Sequence, residues 1–425
     1  MKIRTKRVMT LPAALLASAL STGAAVAQTP ADTLSLDDAI AEALTVNPML
    51  RAAYLRADAA RARVSQAGAL PDPGLAFSLK NRPLDGFGTQ ERMTMNSVQL
   101  RQTLPWPGKL GFAEEREFHV AEATELTALE SEVALVSKLK SVYYQIAYMD
   151  RALDIMRDTR ELLREFLDVA TTLYAVGEGL QADVLQAQIA VAGLSEDITV
   201  VEQRRLAMAA RMNALLGRES AVRVPWLELP APAGGLPSVD DLMARATESR
   251  PALRASRELV RAAESGYRAA RRSLYPDLAL GAEYSQRPEF ADMLSLSVGV
   301  TIPLWAGSNQ LARREEALAW QAAQEAGLRN LLNETYAQLA EARAEADRAL
   351  RLSVLYSTSI VPQARAAVES SLSAYRVGEV DFMTLVQNEL TVNRYEIETV
   401  RLAAGYHAAV ADIEALVGGD LEEIR

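Results

Sequence analysis

Tyr174-Ala175-Val176-Gly177-Glu178 returns 201 residues later as Tyr375-Arg376-Val377-Gly378-Glu379. Leu215-Leu216-Gly217 returns at the same spacing as Leu416-Val417-Gly418. Nearer the N-terminus, Ser35-Leu36-Asp37-Asp38 and Asn47-Pro48-Met49-Leu50-Arg51-Ala52 are matched, 203 residues on, by Ser238-Val239-Asp240-Asp241 and Arg250-Pro251-Ala252-Leu253-Arg254-Ala255. A spacing this steady over most of a chain marks two copies of one structural unit. The first repeat runs 28–219, a linker 220–237, the second repeat 238–419, and a tail 420–425.

Each quoted turn closes a long helix. Phe112 to Val176 holds 65 residues without a Gly or Pro, about 97 Å if helical. Leu126, Leu129, Val133, Val136, Tyr143 and Ile146 follow a period near 3.5, with Lys140 as the break, which predicts a coiled-coil seam. Leu332, Tyr336, Leu339, Ala342, Ala346 and Ala349 make a similar stripe in the second repeat. Helices are expected over 110–175 and 180–216, and again over 308–376 and 381–417. Pro362 is expected to kink the third of these, since it lacks an amide hydrogen and clashes with the preceding turn. Glu161 stands at the equivalent place in the first repeat. Gly177 and Gly378 suit helix ends, where a residue without a Cβ takes the left-handed cap.

Between the short and long helices lie alternating segments. Leu294, Leu296, Val298, Val300 and Ile302 fall on one face, against Ser295, Ser297, Gly299 and Thr301. Leu278, Leu280, Ala282 and Tyr284 alternate with Ala279, Gly281 and Glu283. The first repeat does the same with Leu75, Phe77 and Leu79, and with Val98 and Leu100 against Gln99 and Arg101. Period two predicts strands at about 73–81, 94–104, 277–285 and 293–303, each with one apolar and one polar face. Their length fits a tilted crossing of an outer membrane, and each alone also fits a half-buried soluble sheet. Ahead of each hairpin, Ser35 with Asp38 and Ser238 with Asp241 resemble capping boxes. The helices they open are interrupted at Pro48 and Pro251, then resume to about Gly68 and Ser273.

Gly and Pro together number 39 of 425 residues, and there is no Cys. The composition favours long helices and excludes disulfides, thiolate nucleophiles and cysteine-based metal sites. Lys2, Arg4, Lys6 and Arg7 precede a short apolar run, Val8 to Leu20, and Ala25-Val26-Ala27 has the form of a cleavage site. Residues 1–27 thus read as an export signal, with Gln28 as the mature N-terminus. The leader carries four basic residues and no acid, so a chain of 45 basic and 55 acidic residues is left at −14 after its removal. That balance gives no support to nucleic-acid binding. No run of about 18 apolar residues follows the leader, so no transmembrane helix is expected.

Four strands cannot close a barrel, and two long helical hairpins leave apolar flanks uncovered. Oligomerisation, with strands from several chains closing one barrel, solves both.

In this order, the duplicated repeats, the paired Tyr-x-Val-Gly-Glu turns and the proline junctions resemble the TolC-like outer-membrane factors. The junctions are Thr103-Leu104-Pro105-Trp106-Pro107-Gly108-Lys109 and Thr301-Ile302-Pro303-Leu304-Trp305-Ala306-Gly307. The resemblance covers about Leu34 to Gly419. It implies a mainly α fold with a small β part, in a Gram-negative outer membrane. Three chains would form a twelve-stranded outer-membrane β-barrel, continued by a periplasmic α-helical barrel. It implies a homotrimer embedded in outer-membrane lipid, working with a periplasmic adaptor (membrane fusion) protein and an inner-membrane RND-type pump, and exporting small solutes or metal cations. The Trp-Pro-Gly-Lys form of the first junction is similar to the branch serving heavy-metal efflux.

Passage rather than bond-breaking is the expected chemistry. No catalytic triad, P-loop, dinucleotide fingerprint or zinc motif is present, so no enzyme, cofactor or metal site is expected. His119 and His407 read as helix-surface or interface residues, and Met93 and Met95 as loop or barrel packing. The resemblance places adaptor docking and closure at the tips: Tyr174, Val176, Gly177 and Glu178 in one repeat, and Tyr375, Val377, Gly378 and Glu379 in the other. Asp183, Asp381, Thr384 and Gln387 are the candidate pore constrictions. Asp183 matches a family position in the closed state, whereas Thr384 and Gln387 stand where some members carry two acids. The tip acids Glu178, Asp183, Glu379 and Asp381 read either as cation-attracting rings or as solvated helix ends. Two other functions remain open: a non-pore periplasmic coiled-coil scaffold, which has no need of four membrane-length amphipathic strands, and the outlet of a type I protein secretion system.

Overall fold

The computed structural model describes residues 34–84, 92–288, 290–377 and 379–421. The export signal with its cleavage site, Gly378 and the last four residues of the tail lie outside the described residues. In chain order the first repeat contains α1 (Leu36–Val46), α2 (Pro48–Gly68), β1 (Gly74–Lys80), β2 (Met95–Leu104), α3 (Lys109–Ala175) and α4 (Gln181–Leu215). The second contains α5 (Val239–Ser249), α6 (Pro251–Arg272), β3 (Asp277–Gln286), β4 (Met293–Thr301), α7 (Gln310–Leu355), a π turn (Tyr356–Ile360), α8 (Val361–Arg376) and α9 (Phe382–Val417).

The paired short helices follow from their caps. Ser35 Oγ accepts the Asp38 amide at 3.1 Å and donates its own hydrogen to the Asp38 carboxylate at 2.6 Å. Ser238 and Asp241 repeat this at 3.2 and 2.6 Å. The shorter Asp engages the serine hydroxyl itself, where a Glu would reach back to the N-cap amide. Pro48 and Pro251 do not kink a helix; each opens a new one, at the position where a missing amide costs nothing. Asn47 caps α2 and donates from Nδ2 to the Leu215 carbonyl at 2.8 Å. In the second repeat Ser249 Oγ donates to the Val417 carbonyl at 2.7 Å. The end of α4 is thereby tied to the start of α2, and the end of α9 to the start of α6.

The helices form a layer two helix-lengths tall. Near the strands the order is α2-α3-α6-α7, and farther away it is α4-α3-α9-α8. Only α3 runs through both levels, and its 67 residues span about 100 Å. The expected seam is part of a broader band. Leu126, Tyr143 and Ile146 of that seam are buried and Leu129, Val133 and Val136 are half-buried, while Leu135, Leu139 and Val142 beside it are buried as well. A helix flanked on two sides by four different partners buries a broad band, which a single heptad seam does not describe. Lys140, the break in that seam, is an ion-pair hub: its Nζ lies 2.7 Å from Glu414 and 2.9 Å from Asp420.

Three large apolar clusters hold the layer, and a fourth is small. One joins α1, α3, the end of α4 and the linker through Leu139, Ile146, Met212, Val224 and Leu227. Its counterpart in the second repeat joins α5, α7 and α9 through Leu242, Leu339, Tyr406 and Ile413. The third lies near the far tips and mixes the repeats, with Leu163, Phe166 and Leu194 packed on Phe382, Leu385 and Val386. Among the described helices α4 is long and apolar enough to cross a bilayer by length and composition, contrary to the expectation of none. It earns this by being apolar on two faces. Leu194 and Ile198 are buried against its neighbours, whereas Leu185, Ile189 and Leu206 are exposed.

The four strands make one antiparallel sheet in the order β1-β2-β3-β4. Its register puts Phe77, Val98, Tyr284 and Leu294 in one cross-strand row, and Leu75, Leu100, Ala282 and Leu296 in another. Paired residues share a face, so these rows build one apolar surface. Ala76-Gln99-Glu283-Ser295 and Gly74-Arg101-Gly281-Ser297 build the polar one. β1 and β4 both have unpaired edges.

Candidate functional site: the helix tips and strand junctions

The first tip is a Schellman turn. Val176 caps α3, and Gly177 takes φ +82°. The Glu178 amide donates to the Leu173 carbonyl at 2.9 Å and the Gly177 amide to the Tyr174 carbonyl at 3.1 Å, the paired bonds of that motif. A Cβ at Gly177 meets nothing within 4 Å, so its requirement is conformational. Gly179 has the opposite requirement. A Cβ there would stand 3.0 Å from the Leu173 side chain and the Tyr174 amide nitrogen. Sequence reading missed Gly179, although Gly-x-Gly in so short a turn was its signal.

The second tip closes in the same way, with the Glu379 amide donating to the Ala374 carbonyl at 2.9 Å. Its return helix begins differently. Asp381 is the N-cap of α9 and accepts the Thr384 amide at 2.8 Å as well as the Thr384 hydroxyl. These two bonds hold the Asp381 carboxyl below the usual carboxylate range. Two of the four candidate constriction residues, Asp381 and Thr384, thus engage each other within one turn. In the first repeat Leu180 occupies the cap with no side-chain bond, and Asp183 sits in the first turn, where the helix dipole favours an acid. Gln387 is exposed.

The two tips meet but present different faces. Tyr174 is 48% exposed, whereas Tyr375 packs at 5.4 Å on Phe382 inside the apolar cluster. Burial, with the charge of Asp183 beside it, pushes the Tyr375 phenol up. Val176, Leu180 and Val377 are exposed, as are Glu178 and Glu379. Two turns into α9, Glu389 is buried in the stripe of Phe382, Leu385, Val386 and Val392. Burial raises its pKa, the charge of Glu396 adds to this, and Arg365 opposes it. Sequence reading missed Glu389, although its spacing from Phe382, Leu385 and Val386 placed it on that stripe.

At the opposite end of the helices, the first junction clasps the second repeat. Gly108 caps α3 at φ +90°. Trp106 stacks on Tyr275 at 5.4 Å, and its amide donates to Asp277 Oδ1 at 2.8 Å. Lys109 Nζ bonds the same carboxylate at 2.7 Å and the Tyr275 carbonyl at 2.9 Å. The Trp-Pro-Gly-Lys sequence is therefore a structural clasp, and Pro105 and Pro107 end strand pairing before it. Around Pro303 and Gly307 no such clasp forms among the described residues, and Leu304 and Trp305 are each 80% exposed. His119 Nδ1 lies 2.8 Å from Glu258. His407 stacks on Tyr144 and bonds the Pro230 carbonyl, and burial lowers its pKa. Among the described residues no three His, Cys, Asp or Glu side chains converge as a metal-binding group.

Known proteins resemble this chain. The pyoverdine export outer membrane protein OpmQ of Pseudomonas aeruginosa is 24% identical over 318 residues, which span 70% of this chain and 64% of OpmQ. Protein CyaE of Bordetella pertussis is 29% identical over 355 residues, 75% of this chain and 72% of CyaE. The outer membrane protein VceC of Vibrio cholerae superposes with a TM-score of 0.78 at 18% identity, over 91% of this chain and 96% of VceC. VceC thus has the same fold. Residues 39–218 and 242–419 each match the outer membrane efflux protein family, one match per repeat. The chain belongs to the outer membrane efflux protein family.

Proposed function

We propose that three copies of this chain close into one export channel: a twelve-stranded barrel in the outer membrane continued by a helical tunnel in the periplasm. The carrying observation is that the chain is an open layer with bare edges in both its sheet and its helices. β1 and β4 are unpaired at the sheet edges, and α2, α4, α7 and α8 flank the helical layer. Open edges at every level favour closure by further copies. The apolar face of the sheet then meets lipid and the polar face lines the lumen.

The tips reach farthest from the membrane, and their exposed Tyr174, Val176, Leu180 and Val377 fit docking of a periplasmic adaptor. The adaptor would couple the channel to an inner-membrane RND-type pump. Asp183, Asp381, Thr384 and Gln387 would form the narrow section beside the tips. Likeness to OpmQ, named for pyoverdine export, supports a small-solute cargo. The experiment is the mass of the detergent-extracted particle by light scattering. Three chains per particle is the expected result, and a water-soluble monomer released by osmotic shock overturns the reading.

A further inference from the structure

Among the described residues, one strand cation on the polar face of the sheet, Arg101, has no acid paired with it. Four strand residues are charged on that face: Lys80, Arg101, Asp277 and Glu283. Glu283 is paired with Lys80 across the sheet and also accepts the Ser285 hydroxyl at 3.1 Å. Asp277 is paired with Lys109 at 2.7 Å. Each acid therefore has its lysine. Arg101 has neither an ion pair nor a side-chain hydrogen bond among the described residues, and it is exposed.

Its surroundings keep it so. In the cross-strand row Gly74 and Gly281 flank it on either side, and Ser297 follows. Neither of its directly paired cross-strand neighbours has a side chain to cover or neutralise it. A side chain at Gly281 would require the Ser297 hydroxyl to turn away.

We propose that Arg101 is a specificity-determining residue of the channel wall, drawing anionic solutes into the membrane-spanning section of the pore. Three copies would place three guanidinium groups at one level of the lumen. The inference rests on the reading that the polar face lines a water-filled channel. A charge at ordinary ionic strength acts over about 8–10 Å, enough to bias solutes passing near the wall. Arginine stays charged at any working pH and offers a planar fork to carboxylates and phosphates. Its sign is opposite to that of the exposed Glu178 and Glu379 at the tips. The two ends of the channel thus present different fields, and the anion preference belongs to the outer section alone.

The absence of Cys from the chain makes the field measurable. Ser297→Cys places one thiol two strands from Arg101, about 10 Å away. Its modification in intact cells is timed with an anionic and a cationic thiosulfonate of similar size, applied from outside. With Arg101 present, the ratio of anionic to cationic rates should exceed that of the Arg101→Gln, Ser297→Cys variant by about three- to four-fold at low salt. The difference should shrink toward none at about 1 M salt. Arg101→Lys should keep the preference and Arg101→Glu should reverse it. An equal ratio in the Arg and Gln backgrounds, with Ser297→Cys reacting, overturns the role of Arg101. The face assignment is tested apart, by Leu296→Cys on the apolar side. Protection of Leu296→Cys with reaction of Ser297→Cys is expected. The reverse pattern, or no reaction at Ser297→Cys, overturns the channel reading itself and the inference with it.

Discussion

At Gly177 and Gly179 two glycines two residues apart serve different physical ends. Gly177 supplies a left-handed conformation in open space, and Gly179 supplies absence of volume beside Leu173. A left-handed backbone costs a residue with a Cβ about 1–2 kcal/mol, and Asn tolerates it best. Gly177→Asn should therefore leave export unchanged, whereas Gly177→Val should impair it without dissociating the particle. Gly179→Ala should impair it too, by displacing Leu173 at the tip. Export assays alongside particle mass separate these outcomes, and full export by Gly177→Val with Gly179→Ala would remove the tip from the docking path. Glu389 makes a second argument at this scale. A buried acid with a raised pKa destabilises the fold while it is charged, above its folded pKa. The cost fades as pH falls through that value and is gone below the unfolded value near 4.3. Glu389→Gln should thus raise the melting temperature at pH 7.5 and change it little at pH 4.5. A loss of stability at both pH values would show that Glu389 holds an ionic partner in the assembled channel.

At the scale of elements, the repeats part company at Pro362. A kink was expected there, and the structure places a π turn just before the proline, a feature that accompanies bends in helices. The Val361 amide bonds the Tyr356 carbonyl, five residues back, and one π turn lets the helix pass the proline. Such a turn re-aims carbonyls that a proline ring would otherwise strike. The first repeat, with Glu161 in place of proline, runs unbroken through α3. Pro in a helix interior costs about 3 kcal/mol against Ala, but the π turn has already relieved part of that. Pro362→Ala should therefore stabilise by less than this amount and slow amide hydrogen exchange over 356–361. If exchange there does not change, the π turn is set by packing of Tyr356 on Tyr395 and not by the proline. The faces of the strands were legible from period-two alternation, because a one-residue slip would turn every side chain to the other face. The buried band of α3 was not, because the helix changes partners midway and no single period describes two sets of neighbours. The N-cap role of Asp381 was hidden for a smaller reason: its counterpart is Leu180, so the repeat itself gave no cap at that position.

At the scale of the molecule, the repeat proposes its own interface. Within the chain the first junction clasps the start of β3, with Trp106 stacked on Tyr275 and Lys109 on Asp277. The second junction has Leu304 and Trp305 exposed, and the start of β1 carries an exposed Leu70-Pro71-Asp72. That triplet matches Tyr275-Pro276-Asp277 in the other repeat. Pseudo-symmetry within a chain becomes near-equivalence around a ring, so the second junction of one copy should clasp the start of β1 in the next. Apolar surface of this size in an exposed position is otherwise costly, at about 25 cal/mol per Å². Because the chain has no Cys, the pair Leu70→Cys with Leu304→Cys has no competing thiol. Mild oxidation of membranes should link it into covalent dimers and trimers on a denaturing gel. Either substitution alone should give monomers. Leu304→Cys paired with a cysteine at Tyr275, the site already taken by the chain's own first junction, should link far less. Linking that favours this second pair would mean that the copies do not meet by repeating the contact seen within the chain.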